Sequence, residues 1–131
     1  MARFDKYDPI SGGFRAATAI AWTSSDLNKA FAVGLNSSGA VVKGAGNSGV
    51  VGIVVVTKAK AIGDIIDVMT QGEIVEATLS DGTTALTAGT SYYGDVTSGA
   101  LTATATSNKK LGYTVETTRL VVRVSPHGTG A

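Results

Sequence analysis

The run Gly63-Asp-Ile-Ile-Asp-Val-Met-Thr-Gln-Gly-Glu-Ile-Val-Glu-Ala-Thr-Leu79 decides the fold class. Its β-branched and aliphatic residues are broken only by single polar ones. Extended backbone places Ile66, Val68 and Thr70 on one face and Ile65, Asp67 and Met69 on the other, because side chains alternate with period two. Beyond Gly72, the residues Val75, Ala77 and Leu79 share a face, and Ile74, Glu76 and Thr78 share the opposite one. The stretch reads as strand rather than helix. Gly72 either turns the chain in a two-residue Gln71-Gly72 hairpin or marks a bulge in a continuous strand. None of these side chains forms a reactive constellation.

Outward from this run the same character continues. Candidate strands lie near Phe31–Leu35, Ala40–Lys43, Val50–Thr57, Ile65–Thr70, Glu73–Leu79, Ser91–Val96, Ala100–Ala105, Leu111–Glu116 and Arg119–Val124, separated by Gly, Ser, Asn and Asp clusters. Thr23-Ser24-Ser25-Asp26 ahead of Leu27 offers capping residues for one short helical turn. Many short strands with tight turns predict an all-β domain, a small barrel or sandwich. At 131 residues and 44% hydrophobic, the chain suits one such domain, expected over residues 23–125. Only 6% of residues are aromatic, so closure of a barrel or sandwich and association with further chains are expected to supply stability.

Laid on itself at an offset of 60, the chain repeats without gaps. Gly34 meets Gly94, Ser38 meets Ser98, Gly39 meets Gly99, Ala40 meets Ala100, Ala45 meets Ala105, Gly52 meets Gly112, Val55 meets Val115 and Thr57 meets Thr117. Two related halves follow, about 30–68 and 90–124, with Gly39, Gly52, Gly72, Gly99 and Gly112 as structural turn or bulge positions. With a four-residue insertion in the first half, Ile65–Val68 falls on Val121–Val124. Asp67 and Arg123 then occupy equivalent places with opposite charge, which predicts that the two pair.

Composition narrows the chemistry. A net charge of +1 with 16% charged residues gives no basic face for nucleic acid. The absence of Cys removes disulfides, thiolate nucleophiles and Cys-ligated metals. Met1–Asp5 lacks a signal-peptide layout, and Val50–Val56 is far shorter than a bilayer span, so a soluble, unsecreted chain with no membrane or nucleic-acid partner is expected. Gly44-Ala45-Gly46-Asn47-Ser48-Gly49 has dinucleotide-loop spacing, but a strand former follows it where a helix is required. His127 stands alone in a Gly- and Ala-rich tail, 126–131, expected to be flexible, and has no orienting partner. Asp64, Asp67, Glu73 and Glu76 fall on both sides of the pleat, away from any calcium-loop spacing, and Lys58 and Lys60 suit an edge or turn. No cofactor, metal site or enzymatic activity is expected.

Residues 1–22 differ from the rest. Arg3, Phe4, Lys6, Tyr7, Phe14, Arg15 and Trp22 crowd cations and aromatics around Asp8-Pro9 and Gly12-Gly13, with no sustained strand or helix period. They read as an extended N-terminal arm, with Arg3, Phe4, Tyr7, Phe14 and Arg15 the side chains suited to an interface; a frayed terminus is the alternative.

The Gly-Phe-Arg-Ala beginning at Gly13, the Gly63 run, Ala88-Gly-Thr-Ser-Tyr-Tyr93 and Arg119-Leu-Val-Val-Arg-Val124 together resemble the head decoration, or capsid cement, proteins of tailed bacteriophages, over nearly the whole chain. The resemblance implies a virion protein made in the host cytoplasm. It would bind the outside of the assembled head, commonly as a homotrimer, bridge copies of the major capsid protein and stabilise the shell. The arm residues Arg3, Phe4, Tyr7, Phe14 and Arg15 would then make capsid contacts. A head-fibre or tail-type module recognising a host surface ligand is the alternative, and exposed aromatics clustered away from the arm would favour it.

Overall fold

The computed structural model describes residues 12–124 together with the backbone of residues 3–4. Its strands, in chain order, are β1 (Arg3–Phe4), β2 (Gly13–Ala17), β3 (Ala30–Leu35), β4 (Val41–Lys43), β5 (Gly52–Val55), β6 (Ile65–Met69), β7 (Gln71–Val75), β8 (Ser91–Gly94), β9 (Leu101–Thr102), β10 (Lys109–Glu116) and β11 (Arg119–Arg123). They form two antiparallel sheets, one ordered β2-β6-β5-β3-β4 and the other β1-β7-β11-β10-β8-β9. The chain is all-β, as its alternation predicts. The one helical element among the described residues is a 3₁₀ turn at Ser24–Asp26, where the Thr23 N–H donates to the Asp26 carboxylate at 2.9 Å.

Apart from β1, the sheets repeat one another element for element: β2, β6, β5, β3 and β4 correspond to β7, β11, β10, β8 and β9. Cross-strand pairing fixes the correspondence. Gly13, Phe14 and Arg15 face Met69, Val68 and Asp67 in the first sheet, while Glu73, Ile74 and Val75 face Val121, Leu120 and Arg119 in the second. The offset of 60 therefore holds from β2 to β7. It fails at the closing strand, because sixteen residues separate Ile53 from its partner Met69 but only eight separate Tyr113 from Val121. The first half carries eight extra residues before β6, not four. Asp67 is thus the counterpart of Arg119, and its expected pairing with Arg123 is corrected: Asp67 bonds Arg15 across the β2–β6 ladder, while Arg123 faces Gln71 in the other sheet.

The first sheet curls nearly shut. Thr18, just past β2, forms a parallel bridge with Val41 of β4, and the Ala19 N–H donates to the Val41 carbonyl at 2.9 Å. Inside lie Trp22, Phe31, Val33, Val41, Val54 and Val68, with Phe14 and Ala16 packed against them. The Trp22 indole N–H donates to the Thr18 hydroxyl at 2.9 Å, which satisfies the one polar atom that ring brings inside. The outer face of the same sheet, through Ala30, Ala32, Ile53, Val55 and Met69, packs against Ile74, Tyr92, Leu101, Leu120 and Val122 of the second sheet. Strands β3 and β5 are consequently buried on both faces. That is why Val50–Val56 is apolar without alternation.

The expected arm over residues 1–22 is corrected from Gly13 onward. Gly13–Ala17 is an edge strand of the first sheet, and Trp22 is 1% exposed. Aromatic and aliphatic residues in this segment fill the first core instead of reaching outward. Of the two readings of Gln71-Gly72, hairpin or bulge in one continuous strand, neither holds: β6 ends the first half and β7 opens the second, in different sheets. Thr70 is the crossing point. Its N–H donates to the Gly12 carbonyl at 2.8 Å on the first-sheet side, and its carbonyl accepts from Val124 at 3.0 Å on the other.

Candidate interaction surface

The predicted contact residues separate. The backbone of β1 lies antiparallel on the edge of β7, Arg3 opposite Val75 and Phe4 opposite Ile74. Tyr7 lies outside the described residues, as do the side chains of Arg3 and Phe4, residue His127 and the tail 126–131. Phe14 is half-buried in the first core. Arg15 points outward, and its Nε donates to Asp67 Oδ1 at 2.8 Å, an exposed pair worth at most about 1 kcal/mol. Phe14 and Arg15 therefore belong to the body of the domain, because alternation along β2 sends one inward and the other to its cross-strand neighbour.

The glycines divide by role. Gly39 and Gly99 are turn residues at matching places in the two halves, with φ of +78° and +76°. Gly112 sits at a register shift between β10 and β8, and a Cβ there would lie 1.9 Å from the Val121 carbonyl oxygen. Gly52 stands in regular register within β5 and Gly72 within β7, so neither is a turn or bulge; each admits close approach, of Val68 and Met69 respectively. Gly44, Gly46 and Gly49 all have positive φ and lead into β5, which is turn geometry without a helix N-terminus.

The eight extra residues of the first half form an exposed loop between β5 and β6. Lys58 lies there, with Ile62 at 70% and, at the start of β6, Ile65 at 59% exposure. Asp64 closes this loop by accepting from the Ala61 N–H at 2.9 Å. Lys60 is held by its backbone, which pairs with Trp22 in both directions at 2.9 Å.

A second surface lies on the side of the second sheet turned away from the core. Pairing places Ser91, Tyr113, Val121 and Glu73 in one cross-strand row and Arg119 beside Val75 in the next. Tyr113 and Val115 are 43% and 52% exposed. Arg119 bridges Glu73 at 3.2 Å and Glu116 at 2.8 Å, a cluster of one cation and two carboxylates in the middle of this face. Those two carboxylates, the Glu73 hydrogen bond foremost, raise the Arg119 pKa further above its ordinary value. Among the described residues no group of three or more His, Cys, Asp or Glu is placed to hold a metal, and no helix is long and apolar enough to cross a membrane.

No family model matches this sequence, and no curated protein matches it. A solved chain of Mycobacterium phage Patience does match in structure, with a TM-score of 0.84 over 95% of this chain and 96% of that one, at 22% identity. The two chains share a fold. The likeness runs through both halves, so the doubled arrangement of sheets belongs to the neighbour as well.

Sequence reasoning found β7 and β10 but missed their outward face. The signal was present in the repeat: Ile53 and Val55 align with Tyr113 and Val115. It was obscured because the repeat gives equivalence of position without saying that one copy is covered and the other open.

Proposed function

We propose that this chain is a structural protein of a tailed-phage virion, a decoration protein that binds the outer surface of the assembled head. The observation that carries the reading is the fold shared end to end with a phage protein. The sequence resemblance to capsid cement proteins supports the finer assignment, with the major capsid protein as partner and a homotrimer as the bound form. Such a role requires no chemistry. A ligand that binds the assembled shell in preference to free subunits stabilises it by mass action, by about 2.7 kcal/mol per site when its free concentration is a hundred times Kd. Three sites engaged together raise avidity further.

The N-terminal residues keep a part in this reading, with boundaries moved by the fold. A strand lying on the β7 edge is the geometry by which an extended segment adds to a sheet. Removing residues 1–11 leaves β2 and the Gly12 carbonyl that accepts from Thr70 in place, whereas removing Phe14 would open the first core. Purified heads lacking the protein, mixed with full-length chain, are expected to co-sediment with it to saturation. The chain without residues 1–11, checked for an unchanged circular dichroism spectrum, is expected to bind at least tenfold more weakly. Absence of co-sedimentation by the full chain overturns the capsid reading. The fibre-module alternative gains little support, since Tyr113 is the one large aromatic exposed among the described residues.

A further inference from the structure

The duplication makes each surface of one half comparable with its counterpart in the other. In the first half, Ile53, Val55 and Met69 form an outward sheet face, and the second half covers it, leaving Ile53 and Met69 at 0% and 1% exposure. Register carries these three onto Tyr113, Val115 and Val121. The second half therefore keeps an apolar stripe at the positions through which the first half already binds a sheet, and Tyr113 and Val115 there stand about half in solvent. Large exposed apolar side chains grouped on one sheet face mark an interaction site.

Charge says what fits it. Within the stripe, Arg119 is bound by Glu73 and Glu116, so both carboxylates there are engaged by a cation of the same chain. At its borders the same face carries Lys110, paired in register with Tyr93, and Arg123, paired with Gln71. Both are exposed, and neither has an ion-pair partner among the described residues. An apolar strip with a cation at each border complements a protein surface of aliphatic side chains edged by carboxylates. A second copy of this chain is a poor match. Its other exposed apolar group, Ile62 and Ile65, is flanked by Lys58, Lys60 and Asp64, a mixture of charge without the row of carboxylates that two border cations call for.

We infer that the outer face of the second sheet, centred on Tyr113, Val115 and Val121, is the docking surface for an acidic-edged apolar patch on the capsid. This rests on the capsid reading above and adds a surface to it. The face adjoins β7, on whose free edge the β1 backbone lies, so sheet face and N-terminal strand form one continuous footprint.

The test uses the full chain and heads lacking it. The double variant Tyr113→Lys with Val115→Lys is expected to bind at least tenfold more weakly with unchanged thermal unfolding. Lys110→Glu with Arg123→Glu is expected to weaken binding by a similar factor and to flatten its salt dependence, while Ile62→Lys with Ile65→Lys binds as wild type. Should the lysine pair cost the fold, Tyr113→Ser with Val115→Thr is the substitute, with the same loss expected. Binding by the Tyr113/Val115 variants within twofold of wild type overturns the assigned surface while leaving the capsid reading intact. A Tyr113/Val115 variant that lowers the solution mass in sedimentation velocity reassigns the face to contact between copies and also overturns it. Failure of the wild-type chain to bind heads removes both.

Discussion

At the scale of single residues, the rings of the first core carry a charged stack that alternation alone does not reveal. Lys43 Nζ lies 2.7 Å from Asp26 Oδ1, and the same ammonium sits 4.2 Å from the Phe31 ring centre and 5.1 Å from that of Trp22. Cation and rings attract through the ring quadrupole, by about 0.5–2 kcal/mol depending on desolvation. Burial pushes the Asp26 carboxyl up, but the hydrogen bond from Lys43, the Thr23 N–H and the Lys43 charge together outweigh it and leave the group below its ordinary value. A carboxyl whose folded pKa is depressed stabilises the fold above the ordinary aspartate value and loses that contribution as pH falls through the lowered one. Thermal unfolding between pH 6 and pH 2 is therefore expected to show wild-type stability falling below about pH 4. Asp26→Asn should start lower by about 1–3 kcal/mol and vary less over the same range. Parallel curves for the two proteins would mean that Asp26 contributes nothing to the acid limb.

At the scale of strands, equivalent positions in the two halves have opposite fates, and this yields a paired measurement. Ile53 is 0% exposed between the sheets, while Tyr113, its counterpart, is 43% exposed. Ile53→Ala is expected to cost about 2–5 kcal/mol in denaturant unfolding, and Tyr113→Ala less than about 1 kcal/mol. Similar costs would show that the outward face of β10 is covered in solution. This asymmetry also explains what could be read in advance. Ile65–Val68 of β6 alternates outward and inward because its two faces meet different environments, and the register of the halves survives in Gly39 and Gly99 because a positive φ restricts the choice of residue. The strand Gly13–Ala17 escaped notice since Gly13-Phe14-Arg15-Ala16-Ala17 is short and its small residues carry little alternation. The length of the β5–β6 loop misled the pairing of Asp67 because an insertion shifts every residue after it while leaving the apolar pattern of Ile65–Val68 compatible with Val121–Val124. Among the proposed contact residues, Phe14 and Arg15 were legible as an aromatic and a cation. Whether they faced a partner or the chain's own core depended on which strand lay beside them.

At the scale of the whole molecule, the halves are not separate units, for the second core is built from the outer face of one sheet and the inner face of the other. The sole Trp, Trp22, lies in the first core and reports on it alone. Leu120→Ala, made in the second sheet where the side chain is 0% exposed, is expected to shift the Trp22 fluorescence transition and the circular dichroism transition together, by about 2–5 kcal/mol. Separation of the two curves would show that the first half persists alone. The sheet order β1-β7-β11 has a mechanical meaning as well. Both neighbours of β7 run antiparallel to it, so the first and last described strands run parallel to each other on its two sides. Tension applied through the two ends of the chain would slide these strands along β7 and strain all the hydrogen bonds of each ladder at once, whereas peeling would break them one by one.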